Sequence, residues 1–253
     1  MNLLEHCIIP DWPAPKNVRA LQTTRNGGVS NAPYDSLNLG SHVGDAPLAV
    51  ARNRMLLEPL LPSEPVWLKQ AHGTVVADAA QADCWPEADA CVSSHAGAVC
   101  VVMTADCLPV LLCDDQGSVV GAVHAGWRGL CGGVIEQTVC AMHVKPAALV
   151  AWLGPAISMQ KFEVGNEVRA TFIAKQPQAA AAFIPYPSSP LPLAGEGEKY
   201  LADIYQLARL RLNMLGITRI HGGGLCTYAD HERFFSFRRD GVTGRMGTFI
   251  WLE

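Results

Sequence analysis

No stretch of this chain approaches the ~18 to 20 consecutive apolar residues that a bilayer-spanning helix needs. The first sixteen residues, MNLLEHCIIPDWPAPK, carry an acid at Glu5, no basic residue before Lys16 and no apolar run followed by small residues. Neither a membrane anchor nor a secretory leader is predicted, and the expected location is the cytoplasm. Charge is scarce as well: 17% of residues are charged, and 19 Lys plus Arg stand against 23 Asp plus Glu for a net charge of −4. That balance offers no bulk attraction to nucleic acid or to a membrane surface. No repeat occurs at a period of about 20 to 50 residues, which excludes solenoids and propellers. Close metal-ligand pairs are missing too, since neither CxxC nor HxH occurs. A closed structural zinc site normally shows such pairs.

Apolar residues are plentiful, at 49% of the 253. At about 150 residues per domain this length allows one large domain or two small ones, and the reading taken is a single domain over 1–253. The nine cysteines are an odd number in a chain too large to need staples, so reduced thiols are expected. The runs 99–104 (VCVVMT), 110–113 (VLLC) and 118–124 (SVVGAVH) are short and β-branched, as central strands covered on both faces are. Further strands are expected at 18–24, 65–69, 149–153, 217–221, 233–237 and 248–252. Helices are expected at 47–57, from the glycine-rich 126–133 segment to 143, at 165–175 and at 203–215. A mixed α+β or α/β fold follows. The Pro/Gly/Ala-rich segment near 184–198 reads as an exposed loop.

Chemistry concentrates at three strand ends. His72 follows LKQA, His124 ends the SVVGAVH run, and Cys107 sits beside Asp106 after VCVVMTA. Taken alone, any one histidine is a satisfied structural imidazole. Together, a thiol and two imidazoles, spaced by 35 and 17 residues, fit a three-ligand zinc site with an open fourth position. This donor set also accepts copper and suits neither magnesium nor calcium. After His124 comes AGWRGLCGG, in which Arg128 and the turn at Gly129 form a candidate anion cradle. The same glycines equally serve a tight strand-to-helix connection. Arg238, Arg239 and Arg245, in FRRDG and TGR, form either a solvated turn or the other side of an anionic or polar substrate site, and Arg25, in TTRNGG, is a fourth candidate.

The segments QAHG, TADCLPVLL, VHAGWRGL, LGPAIS with FEVG, and FFSFRRDGVTGRMGTFIWL, together with TTRNGGVS and YDSLNLGSHVGD, resemble the YfiH-like family, also called laccase-domain or polyphenol-oxidase-like proteins. The resemblance covers essentially the whole chain, and the 183–198 segment looks longer than the family pattern. It implies a single α/β domain of packed sheets flanked by helices, and zinc on His72, Cys107 and His124. It also implies phosphorolysis of adenosine, inosine and methylthioadenosine, together with adenosine deamination. The partners are then purine nucleosides and inorganic phosphate, in a monomer or homodimer. On this reading Arg128 and the glycine turn hold phosphate, while the metal or Asp106 polarises the base. A multicopper laccase needs about ten histidines, many in HxH pairs, whereas this chain has eight and no such pair. A second reading makes Cys107 a nucleophile with His124 as its base, in a hydrolase or amidase acting on cell-wall peptide precursors. A non-catalytic interaction module with a structural metal is the third.

Overall fold

Period-two alternation builds the centre of the molecule. In the strand Leu108–Asp114 every residue is buried, because successive side chains point to opposite faces and both faces are covered. Leu108, Val110 and Leu112 enter one apolar cluster, while Leu111 and Cys113 enter another. The computed structural model describes residues 3–82, 85–187 and 198–253, and its architecture is α/β.

A six-stranded mixed sheet runs in the order Arg219–Gly222, Leu149–Leu153, Leu108–Asp114, Val120–Ala125, Ala90–Ser93, Val76–Asp78. Its two outermost pairings are parallel and the inner ones antiparallel. A second, antiparallel sheet orders Cys7–Ile8, Val18–Thr23, Met246–Leu252 and Cys100–Thr104. Between the two sheets Val102 and Ile250 meet Leu111, Ala122 and Val150. The other face of the large sheet packs on helices through Ile135, Val139, Phe172, Leu207 and Leu212. Leu37, Leu39, Leu57 and Trp67 cover the outer face of the smaller sheet. No helix among the described residues is long and apolar enough to cross a membrane.

Several boundaries differ from the sequence expectations. Segment 65–69 makes only an isolated bridge from Val66 to Cys100, since Pro65 offers no donor to extend a ladder. The expected helix through 143 is split into Trp127–Gly132 and Val134–Ala141. Gly133 divides it at φ +107°, a left-handed conformation that ends the first helix. Residues 233–237 form no strand; Ser236 caps a short helix, Phe237–Asp240, by accepting from the Arg239 amide. The loop expected near 184–198 begins as strand, with Phe183–Pro185 paired antiparallel to Lys199–Ala202. Its remainder, 188–197, lies outside the described residues.

Candidate functional site

Three chain reversals deliver the donors. Cys107 occupies the turn where the chain leaves Cys100–Thr104 in the smaller sheet and enters Leu108–Asp114 in the larger one. His124 lies near the end of Val120–Ala125. His72 sits in the loop ahead of Val76–Asp78 with φ +60°, an uncommon backbone for a non-glycine residue. Their donor atoms all lie within 4.8 Å of one another. Cys107 Sγ is 3.7 Å from His72 Nε2, and the imidazoles meet edge to face with centroids 4.7 Å apart.

One carboxylate holds both histidines. Asp89, buried immediately before the strand Ala90–Ser93, accepts from His124 Nδ1 at 2.8 Å and from the His72 amide at 2.9 Å through Oδ1. Its Oδ2 accepts the amides of Ala71 and Gly73 at 3.2 and 2.6 Å. The uncommon backbone at His72 is thus fixed by three main-chain donors on one acid. The Nδ1 contact turns His124 Nε2 toward Cys107 and His72. Sequence reasoning did not single out Asp89; an acid placed directly before a fully buried strand is the one local signal it leaves.

Electrostatics follow from this packing. Burial alone pushes the Cys107 thiol up, but the His124 charge and hydrogen bonds from both imidazoles outweigh it and bring the pKa to about 6. For His124, burial pulls down, while Cys107 and Asp89 raise it to about 9. Asp89 is lowered: burial opposes ionisation, and His124 and the loop amides override it. A thiolate and two imidazoles around one point, one ring oriented by a carboxylate, are the donor chemistry of a zinc or copper site. Gly126 leaves room for that set, since a Cβ there would lie 2.7 Å from His72 Cδ2 and 3.0 Å from Cys107 Sγ.

Beside the donors opens a pocket of about 230 Å³ reached by Trp127, Ile157, Phe162, Ile204 and Phe237, with Arg128 and Arg238 as its cations. Arg128 is exposed and stacks over Trp127, 4.5 Å from the ring centroid. Arg238 also lines the pocket but donates Nη1 to the Glu163 carbonyl.

Other candidates have different tasks. Asp106 borders the pocket at φ +91°, yet its Oδ1 accepts from the Thr227 hydroxyl and its Oδ2 from the Arg238 amide, both at 2.6 Å. Both of its carboxylate oxygens thus tether neighbouring loops. A Cβ at Gly129 would stand 2.7 Å from the Gly73 carbonyl, so the residue serves close helix-to-loop packing. Arg25 is engaged by Asp35 and by the His231 carbonyl. Arg239 donates to the carbonyls of Thr227, Tyr228 and Phe234 and pairs with Asp240. Both arginines knit loops together outside the pocket.

Residues 19–253 match a family model described as multi-copper polyphenol oxidoreductase laccase. The chain is 54% identical over 248 residues to a protein of Escherichia coli K12 named purine nucleoside phosphorylase YfiH, covering 97% of this chain and 98% of that one. It is 50% identical over 246 residues to a purine nucleoside phosphorylase of Pseudomonas aeruginosa, covering 97% and 98% respectively. A Neisseria meningitidis protein of known crystal structure superposes with a TM-score of 0.90 at 51% identity, over 98% of this chain and 99% of that one. YlmD from Geobacillus stearothermophilus superposes with a TM-score of 0.82 at 31% identity, over 95% and 94%.

Proposed function

The chain belongs to the multi-copper polyphenol oxidoreductase laccase family, and from that membership we propose that it is a metal-dependent purine nucleoside phosphorylase. Adenosine, inosine and methylthioadenosine are its substrates, with adenosine deamination as a second activity. The observation that carries this reading is the convergence of His72, Cys107 and His124 within 4.8 Å at the edge of an aromatic-lined pocket, in a chain whose close relatives are named for this activity.

His72, Cys107 and His124 would hold the ion, with zinc the reading preferred and copper also accommodated. A bound zinc supplies Lewis acidity at this point of the cleft. Trp127, Phe162 and Phe237 offer ring faces to a flat heterocycle. Arg128 receives inorganic phosphate at the pocket mouth. In phosphorolysis a phosphate oxygen bonds to C1′ of the ribose as the C1′–N9 bond breaks, and the base leaves with that electron pair. Asp89 keeps His124 in place throughout, and Asp106 holds the Arg238 turn against the pocket.

The short Cys107–His72 contact favours one other reading, a thiol-dependent hydrolase or amidase. One experiment separates the two. Protein stripped by chelation and reloaded with zinc or copper is incubated with inosine and with adenosine, with and without phosphate, and the products are separated. Metal-dependent release of free base and ribose 1-phosphate only when phosphate is present is the expected result. Inertness of the loaded protein toward every nucleoside overturns the proposal, and full activity of metal-free protein that is abolished by thiol alkylation supports the second reading.

A further inference from the structure

Arg245 is a half-buried guanidinium that the site described above does not use. It follows Gly244 in the turn leading into Met246–Leu252. Its amide donates to Asn38 Oδ1 at 2.9 Å. Its Nη1 donates to the carbonyls of Thr243 and Gly244, each at 3.0 Å, and these two contacts fix the plane of the fork. Its charged group lies 5.9 Å from the centroid of Phe237, a ring that lines the pocket. Burial lowers its pKa from the ordinary arginine value, opposed by the charges of Cys107 and Asp106, so it shares their electrostatic environment.

Like the pocket arginines Arg128 and Arg238, Arg245 has no carboxylate partner among the described residues. Arg25, Arg211, Arg219, Arg233 and Arg239 each pair with a carboxylate. Among the described residues no carboxylate lies within ion-pair distance of Arg245, and its Nε and Nη2 make no hydrogen bond. The free Nε and Nη2 are not buried unpartnered atoms and so stay open to solvent. The free Nε/Nη2 edge presents two parallel donors, a geometry that matches an oxyanion and that lysine cannot reproduce.

We propose that Arg245 is the anchoring arm of the phosphate site, taking two oxygens of inorganic phosphate on its Nε/Nη2 edge, while exposed Arg128 is the weaker arm. This rests on the phosphorylase reading for its ligand, and the test keeps the two apart. Inorganic phosphate is titrated calorimetrically into the full-length, metal-loaded protein as wild type, Arg245→Gln, Arg245→Lys and Arg128→Ala, and phosphate and inosine dependences of turnover are measured in parallel.

A charge-assisted pair of hydrogen bonds makes the expected loss of phosphate affinity in Arg245→Gln about tenfold or more. Arg245→Lys recovers part of it, Arg128→Ala loses less than Arg245→Gln, and the half-saturating inosine concentration stays within about twofold in each. Wild-type protein that binds no phosphate overturns the proposal, as does a folded Arg245→Gln variant with unchanged phosphate affinity or with phosphate and inosine weakened equally. If Arg245→Gln fails to fold, Arg245→Lys decides, and an affinity equal to wild type overturns the bidentate anchor. Phosphate binding that is lost in Arg245→Gln, in a protein that turns over no nucleoside, supports the anchor and counts against the phosphorylase reading alone.

Discussion

Asp89 joins an imidazole and a strained loop through one carboxylate, so its charge and its shape are separable by substitution. Asparagine keeps the shape and removes the charge that orients and strengthens His124 as a ligand. Asp89→Asn is expected to weaken metal binding by about 10- to 100-fold, the usual cost of losing such an outer partner, as read by competition with a chromogenic chelator. Cys107→Ala removes a ligand outright and should leave no stoichiometric metal. The histidines and Cys107 are legible in the sequence because each terminates or follows an apolar run. Asp89 is not, because its importance lies in four contacts made to residues up to 35 positions away. Arg25 and Arg239 show the converse. Sequence reveals a cation in a suggestive cluster, but not that Asp35 and Asp240 already engage it.

At the level of elements, the strand-to-helix junction after His124 sets the spacing of the site. Gly126 precedes the helix Trp127–Gly132, and the space above its Cα is occupied by the His72 ring and the Cys107 sulfur. Gly126→Ala must displace one of them. The expected outcome is a folded protein with a metal content well below wild type, destabilised by roughly 1–3 kcal/mol as overpacked sites commonly are, measured by elemental analysis alongside urea unfolding. The central strands are readable from their short, continuous β-branched runs. The junction's glycines were readable only as a pair of possibilities, since a cradle and a close packing contact ask for the same residue. The misread strand at 233–237 has a similar cause: Phe234 and Phe235 are buried, but in a loop closed by the Ser236 cap rather than in a ladder.

Across the whole molecule, acid sensitivity should track the turn that joins the two central strands of the larger sheet. Asp114 is buried there, accepting from the Ser118 amide and hydroxyl and from the Val119 amide. Burial disfavours its ionised form, but these donors outweigh that and lower its pKa. A folded pKa below the unfolded value of about 3.9 gives stability that is present above that value and lost as pH falls through the folded pKa. Asp114→Asn should therefore be less stable than wild type at pH 7, with the difference shrinking below about pH 4, as urea midpoints across that range will show. The two-sheet architecture itself was only partly legible: buried strands announce a sheet, whereas the order in which distant strands pair is decided by tertiary packing. That order places Cys107 at the crossing from one sheet to the other and His124 within the second. An ion held by both would add a cross-link where the two layers are already joined by the chain crossing at Cys107. Such a cross-link would make the melting temperature a gauge of the free metal ion, zinc on the reading proposed. At a hundredfold excess over the dissociation constant the gain is about 2.7 kcal/mol, and in Cys107→Ala the melt should no longer respond to zinc at all.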